Sequence, residues 1–84
     1  MEFERKGHYT VADLCRIMQL LRSENGCPWD RVQTHESIRK NLIEETYEAV
    51  EAIDCKNSDM LKEELGDVLL QVVFHAQMEA EEGR

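Results

Sequence analysis

Two stretches of the chain decide its fold: residues 34–54, THESIRKNLIEETYEAVEAID, and residues 59–82, DMLKEELGDVLLQVVFHAQMEAEE. Both carry apolar residues at the three- and four-residue spacing that is typical of an α-helix. The segment that joins them, residues 55–59, is short and polar, so the two helices are predicted to run up and down beside each other. The fold class is therefore predicted to be all-α.

The start of the chain adds one shorter helix and a break. The helix is predicted because Leu14, Ile17, Met18 and Leu21 recur at helical spacing. Thr10 can cap it, and it is predicted to end near Gly26. Residues 25–28, Asn-Gly-Cys-Pro, form the break. Residues 1–9 are predicted to be a loose leader, and Asp59 to cap the last helix.

Composition limits the classes of protein to which the chain can belong. The 84 residues are 42% apolar, which is enough for a single small domain, residues 1–84. A formal charge of −8 argues against nucleic acid or an anionic membrane as a partner. No apolar run reaches the roughly 20 residues of a membrane span, and the polar start is not a signal peptide. Three cysteines without CxxC spacing indicate free thiols in a reducing, cytoplasmic location.

Acidic side chains occupy positions in the long helices where apolar residues are expected. In the first of them the buried stripe is predicted to consist of Ile38, Leu42, Ala49 and Ile53. With Leu42 at zero, Glu45 falls at about 300°, inside this apolar sector, and Glu48 falls at about 240°, on its shoulder. At least one glutamate is therefore predicted to face the interior or an interface.

The last helix is apolar nearly all the way around, which is more than a lone three-helix domain can bury. One broad face consists of Leu61, Leu65, Val68, Leu69, Val72 and Ala76. A narrow polar strip, at about 200° to 280° from Leu65, interrupts the apolar surface. The strip, which we call the polar strip, consists of Glu64, Asp67, Gln71 and His75.

Two pairs of carboxylates, Glu45 with Glu48 and Glu64 with Asp67, have the i,i+3 spacing that puts both members on one helix side. An ionised carboxylate removed from water is costly unless something compensates it, and the chain has 10 basic residues against 18 acidic ones. Mg²⁺ prefers oxygen ligands, so one or two Mg²⁺ ions are predicted between the helices, with Mn²⁺ as a possible substitute. Solvated acidic faces are the ordinary alternative; a di-iron bundle needs ExxH motifs that are not found here.

The sequence GCPWDRVQTHESIRKNLIEETYEAVEAID, followed by LKEELGDVLLQVVFHAQMEAEEG, closely resembles the MazG family of nucleoside triphosphate pyrophosphohydrolases. The family motif, EExxE and then ExxD, matches residues 44–48 and 64–67, and the flanking CPWD-xxQTH and GDVLLQVVFHA blocks make the match specific. The resemblance covers about Leu21 to Gly83. It implies a MazG-like helical bundle completed by a homodimer or tetramer. It also implies Mg²⁺-dependent hydrolysis of nucleoside triphosphates to monophosphate and pyrophosphate, by attack of a metal-activated water on the α-phosphate.

The resemblance also implies roles for individual residues. The metal ligands are expected to be Glu45, Glu48, Glu64 and Asp67. Glu44 is expected to act on the catalytic water, with an exposed helical glutamate as the alternative. Asn41 and Lys62 are expected to contact the nucleotide.

Three further side chains are candidates on the residues alone. Trp29 can stack on a nucleobase, although a tryptophan beside a proline is more often a packing anchor. His35 can cap or pack near the start of its helix, and His75 can reach a ligand or be a core histidine with its polar atoms satisfied.

Family members usually continue beyond this segment with basic residues, and the chain is expected to lack that continuation. Two other functions therefore stay open: a catalytically weak helical module for oligomerisation or partner binding, and a sensor that binds Mg²⁺-nucleotide without turnover. Release of pyrophosphate from nucleoside triphosphates distinguishes the enzyme from both.

Overall fold

A computed structural model describes residues 10–84, which form four α-helices and, over this range, no β-strand. The helices are α1 (Val11–Leu21), α2 (Pro28–Val32), α3 (His35–Asp54) and α4 (Ser58–Glu81). The all-α prediction is confirmed; the predicted leader, residues 1–9, lies outside the described residues. None of the four helices is both long enough and apolar enough to cross a membrane.

Helix α1 begins where it was predicted to begin and ends earlier. The Thr10 side chain accepts a hydrogen bond from the Asp13 N–H (3.1 Å), and the Asp13 side chain accepts one from the Thr10 N–H (3.0 Å). This reciprocal capping box fixes the first turn. The helix ends at Leu21 rather than near Gly26, because the chain turns back and the Cys27 N–H donates to the Leu21 carbonyl (2.8 Å).

The predicted break contains the start of a helix that the sequence pattern did not reveal. Helix α2 begins at Pro28, which suits the first turn because a proline has no N–H to leave unsatisfied there. Five residues are too few to show a helical period.

Helices α3 and α4 form the hairpin that carries the predicted site. Thr34 caps α3 by accepting from the Ser37 N–H (3.1 Å), so the predicted start after Thr34 is confirmed. Asn57, and not Asp59 as predicted, caps α4, since its side-chain oxygen accepts from the Met60 N–H (3.1 Å). The cap lies two residues earlier than predicted and directly follows Lys56, which adopts a left-handed conformation (φ 54°) in the turn.

The core lies between α1, α3 and α4. Its buried members are Met18, Ile38, Val73, Phe74 and Met78, with Leu14 packed against them. The guanidinium of Arg22 joins the elements around this core: it pairs with Glu81 (2.6 Å) and lies 5.6 Å from the centre of the Phe74 ring. Arg22 also donates to the backbone carbonyls of Asp30 (2.6 Å) and Gln33 (3.1 Å), so one half-buried cation ties α1, α2 and α4 together.

The buried side of α3 differs from the predicted stripe in an informative way. Ile38, Ala49 and Ala52 are buried, whereas Ile53 is 57% exposed, so its place in the stripe was wrong. The three buried residues lie at roughly −40°, −20° and −80° from Leu42, and Glu45 lies at roughly −60°, in the middle of them. The true stripe is therefore centred on a glutamate, and Ile53 belongs to a second, exposed apolar face.

The predicted broad apolar face of α4 is not buried within the chain. Leu65 is 52% exposed, Leu69 38% and Val72 52%. The polar strip faces α3 instead, as the contacts of Glu64 and His75 described below show. This exposure agrees with the prediction that α4 carries more apolar surface than a lone domain of this size can bury.

Gly26 gives a test of the turn that ends α1. A β-carbon at Gly26 would lie 2.2 Å from the Leu20 carbonyl oxygen and 2.3 Å from that of Leu21. Gly26→Ala is therefore expected to lower the free energy of unfolding by about 1–3 kcal/mol, as overpacked substitutions do. Urea denaturation followed by circular dichroism measures the change.

Gly66 in α4 is the matched control, because a β-carbon there meets nothing within 4 Å. Gly66→Ala is expected to raise the free energy of unfolding by up to about 1 kcal/mol through helix propensity. Equal effects of the two substitutions would contradict the assigned turn.

Candidate metal centre

Three glutamate side chains meet between α3 and α4. Glu45 and Glu48 lie on one side of α3, Glu64 lies on the facing side of α4, and one carboxylate oxygen from each is within 4.8 Å of the others. We call these three residues the glutamate cluster. The i,i+3 spacing on α3 and the short turn between the antiparallel helices bring them together.

The glutamate cluster is partly removed from water. Glu45 and Glu64 are half-buried, and the Oε2 atom of each is buried without a hydrogen-bond partner, whereas Glu48 is exposed. Within residues 10–84, the ion pairs of lysine, arginine and histidine involve other carboxylates. Buried acceptors without a partner destabilise a fold. These two oxygens can therefore still accept a hydrogen bond or bind a cation, and no group in the described chain does either.

Two members of the glutamate cluster, Glu64 and Glu45, have raised pKa values. The hydrogen bond that it shares with Glu48, together with burial, raises the pKa of Glu64 to about 7. Burial, and then the charges of Glu48 and Asp67, raise the pKa of Glu45 above its usual value. A group that holds a proton near neutral pH for these reasons is a group that a divalent cation can bind by displacing the proton.

Asp67 lies beside the glutamate cluster. It is half-buried on the polar strip, and its charge raises the pKa of both Glu45 and Glu64. Its carboxylate is not one of the three whose oxygens meet. The structure thus brings three of the four predicted ligands into contact and leaves the fourth close enough to act electrostatically.

The donors available fit a hard divalent cation. Every candidate atom is a carboxylate oxygen, which is the ligand type that Mg²⁺ and Mn²⁺ prefer, and no histidine or cysteine belongs to the glutamate cluster. The unused lone pairs of Glu45 Oε2 and Glu64 Oε2 supply the free coordination sites. These residues therefore suit Mg²⁺ better than Zn²⁺.

Glu44 lies apart from the glutamate cluster. Its carboxylate is 3.6 Å from the Lys40 Nζ, an i,i+4 ion pair that the sequence spacing predicts, and its side chain is 56% exposed. The described contacts correspond to the exposed-glutamate alternative; they include none with Glu45, Glu48 or Glu64.

The predicted nucleotide-contacting residues surround the site unevenly. Asn41 is half-buried one turn before Glu45, and Lys62 is exposed two residues before Glu64. Trp29 presents its ring edge-on to Phe74, with centroids 6.4 Å apart and planes at 84°, and is 55% exposed. The contact with Phe74 favours the packing role for Trp29.

The sequence analysis missed one contact between α3 and the polar strip. His35 and His75, which were considered separately, have their Nδ1 atoms 2.6 Å apart. The signal was present in the spacing: His35 precedes Glu45 by ten residues and His75 follows Glu64 by eleven. In an antiparallel pair of helices, one register therefore brings both sets into contact.

The raised pKa values predict how Mg²⁺ and pH act together on stability. Without Mg²⁺ the folded chain holds a proton on Glu64 up to about pH 7, whereas the unfolded chain loses it near the ordinary value of 4.5. This cluster therefore favours folding below about pH 4.5, and its contribution is lost as the pH rises through about 7. Mg²⁺ replaces the proton, so it should raise the melting temperature more at about pH 8 than at about pH 5.5. In a domain of this size, each kcal/mol added to the free energy of unfolding raises the melting temperature by about 4–8 °C.

Paired variants identify the source of the effect. Glu45→Gln combined with Glu64→Gln should abolish the Mg²⁺-induced rise, and Glu63→Gln, an exposed neighbour, should leave it intact. A rise that is equal at both pH values, or that persists in the double variant, would place Mg²⁺ elsewhere.

Comparison with known proteins finds a family match over the two helices that carry this site. The family model for the MazG nucleotide pyrophosphohydrolase domain matches residues 33–84, a range that contains all of α3 and α4. A nucleoside triphosphate pyrophosphohydrolase/pyrophosphatase MazG of Thermotoga maritima is 68% identical over 71 residues, which are 84% of this chain and 28% of that protein.

Two other relatives are also similar. A nucleoside triphosphate pyrophosphohydrolase of Escherichia coli K12 is 57% identical over 72 residues, covering 84% of this chain and 27% of its own length. An uncharacterized Bacillus subtilis protein, YabN, is 57% identical over 67 residues, covering 80% of this chain and 14% of its own length. The chain thus spans between about a seventh and somewhat over a quarter of these relatives.

Proposed function

Because the chain belongs to the MazG nucleotide pyrophosphohydrolase family, we propose that it hydrolyses nucleoside triphosphates to nucleoside monophosphate and pyrophosphate in the presence of Mg²⁺. The observation that supports this most directly is the glutamate cluster, whose buried oxygens have no partner among the described residues. The cytoplasm is the proposed location, since Cys15, Cys27 and Cys55 are free thiols.

The proposed roles of the carboxylates follow from charge. A nucleoside triphosphate carries about four negative charges and the chain itself carries −8, so the two repel each other without a cation. Glu45, Glu48, Glu64 and Asp67 would hold Mg²⁺, or Mn²⁺ in its place. When bound there, the cation supplies charge neutralisation on the phosphates and a lowered pKa of coordinated water.

Neighbouring side chains are assigned the remaining tasks. Lys62, an exposed ammonium near Glu64, would contact phosphate oxygens, and Asn41 would offer its amide to the nucleotide. Glu44 would have to leave Lys40 in order to orient the attacking water or accept its proton. The exposed part of Trp29 offers a ring face for a nucleobase.

Loss of one ligand charge tests the assignment. Glu45→Gln and Asp67→Asn are each expected to lower pyrophosphate release from nucleoside triphosphates by at least about 100-fold, with weaker Mg²⁺ binding and unchanged helix content. Glu51→Gln, an exposed substitution on the same helix, is the matched control and should retain activity. Coupled pyrophosphate detection, Mg²⁺ titration and circular dichroism provide the three readouts.

Wild-type turnover in either variant would remove that residue from the site. Absence of pyrophosphate release from every nucleoside triphosphate by the unsubstituted chain would favour the non-catalytic alternatives. Binding of Mg²⁺-nucleotide without turnover would then indicate the sensor, and a stable oligomer without nucleotide binding would indicate the assembly module.

The exposed apolar surfaces support self-association as part of this proposal. On α4 they are Leu65, Leu69 and Val72, which recur along one side of the helix. On α3, an apolar groove of about 410 Å³ is lined by Leu42, Ile43, Thr46, Tyr47 and Val50. Surfaces of this kind are uncommon on monomers and typical of helices that pack against a second subunit, so a homodimer or tetramer is proposed.

Introducing a charge into the proposed interface tests the proposed assembly. Val72→Glu places a carboxylate on the exposed apolar side of α4 and is expected to convert the oligomer to a monomer in light scattering. Gln19→Glu, which adds the same charge to an exposed position of α1, should leave the mass unchanged. A monomeric unsubstituted chain at about 100 µM would contradict the proposal, since obligate helical interfaces are much tighter.

A further inference from the structure

The His35–His75 pair is held by a hydrogen bond between two ring nitrogens. The Nδ1 atoms are 2.6 Å apart, the ring centroids are 4.9 Å apart, and the ring planes differ by 5°. Because the nitrogens are much closer than the centroids, the rings lie edge to edge in nearly one plane and do not stack face to face. A contact of this kind is an N–H···N hydrogen bond, and it requires one proton between the two atoms.

The other nitrogen of His35 is already assigned a proton. His35 Nε2 lies 2.9 Å from Glu79 Oε1, and the second carboxylate oxygen of Glu79 accepts from Arg84. The hydrogen bond from Arg84 lowers the pKa of Glu79, so this carboxylate is ionised and can only accept. His35 Nε2 is therefore a donor, and its tautomer is fixed.

Counting protons leaves two states that preserve the contact. When both rings are neutral, His75 donates its Nδ1–H to the bare Nδ1 of His35. When one more proton is bound, His35 is an imidazolium that donates its Nδ1–H to His75, and the remaining N–H of His75 is at Nε2. A further proton would direct two N–H groups at each other across 2.6 Å, which breaks the contact.

The surroundings of His75 oppose a positive charge on its ring. Its Nε2 is buried without a hydrogen-bond partner among the described residues. Burial, and then the neighbouring His35, lower the pKa of His75 below its ordinary value. Within residues 10–84, this nitrogen thus has no hydrogen-bond acceptor that would stabilise a positive charge on the ring.

The charged groups around the pair come from several elements. A cavity of about 190 Å³ beside His35 is lined by Arg22 at the end of α1, Glu36 on α3, and Glu81, Glu82 and Arg84 at the end of α4. Arg22 is engaged by Glu81, and Arg84 by Glu79. These carboxylates outnumber the two arginines, so the groups around His35 carry a net negative charge. The pKa of His75 is lowered by burial and then by His35.

We propose that the His35–His75 pair is a proton-controlled contact that joins the first turn of α3 to the C-terminal half of α4 and opens when a second extra proton binds. The device is separate from the proposed catalysis: His75 lies about two helical turns from Asp67 on the polar strip, with Gln71 midway between them.

The proposal fixes the sign of a pH effect on folding. Unfolded histidines have pKa values of about 6.5, so the unfolded chain takes up two protons at these positions as the pH falls from about 8 to 5.5. The folded pair takes up one. The unfolded state therefore binds more protons, and the pair's contribution to stability is present above about pH 6.5 and is lost below it, with an unfolding equilibrium constant that rises by up to about tenfold per pH unit.

A double substitution isolates this effect. His35→Phe combined with His75→Phe keeps two rings at the contact and removes both titrating groups. The unfolding equilibrium constant of the unsubstituted chain, divided by that of the double variant, is expected to rise by about tenfold between pH 7 and 5.5. The glutamate cluster titrates over the same range with the opposite sign, but it is present in both proteins and cancels in the ratio.

Imidazole ¹⁵N NMR of the folded chain supplies an independent measurement that does not need the variant to fold. His75 is expected to stay neutral at pH 5.5 while the chain is folded, and His35→Phe should raise its pKa. Two histidines that each titrate near 6.5 in the folded chain, a His75 titration that is unaffected by His35→Phe, or a pH-independent ratio would each overturn the proposal.

Discussion

The burial of like-charged carboxylates between α3 and α4 is the constraint on which the rest of the structure depends. Glu45 lies at the centre of the side of α3 that would otherwise be apolar, and Glu64 faces it from α4. Ionised carboxylates at this position would repel each other, and this repulsion contributes to the raised pKa values of Glu45 and Glu64. The hairpin must therefore be held by contacts elsewhere, and it is held at the other end, where Ile38, Phe74 and Met78 pack together with α1.

The use of one end of the hairpin for carboxylates and of the other for apolar packing explains why so small a chain leaves so much apolar surface exposed. The polar strip occupies much of the side of α4 that faces α3. Leu65, Leu69 and Val72 therefore lie on the exposed side and do not contribute to the core. Arg22 compensates in part by joining three elements with a single cation. Strain that is retained at a chemically useful site and offset by contacts at a distance is a common property of functional sites.

The sequence predicted those features that follow from local spacing. The all-α class, the cap at Thr34 and the inward position of Glu45 depend on residues within one or two turns, and the structure agrees with each. The misplaced features belong to very short segments and to turns: α2 is too short to show a period, and Asn57, which caps α4, directly follows a turn residue, Lys56, in a left-handed conformation. Ile53 was assigned to the core because α3 has two apolar sides, and spacing alone does not say which one α4 covers.

The register of the hairpin links the two polar contacts that sequence reasoning treated separately. If α4 slid by one helical turn along α3, Val68 or Met60 would face Glu45, and Glu79 or Gln71 would face His35. Both the glutamate cluster and the His35–His75 pair would be lost together. In the slide that brings Met60 to Glu45, however, the core positions of Val73, Phe74 and Met78 would be taken by other apolar residues, Leu69, Leu70 and Phe74. Apolar packing alone therefore leaves the register weakly specified, and buried polar groups are known to specify it in helical assemblies. The side chains for which we propose a response to protons and cations are thus the same ones that select the alignment of the hairpin.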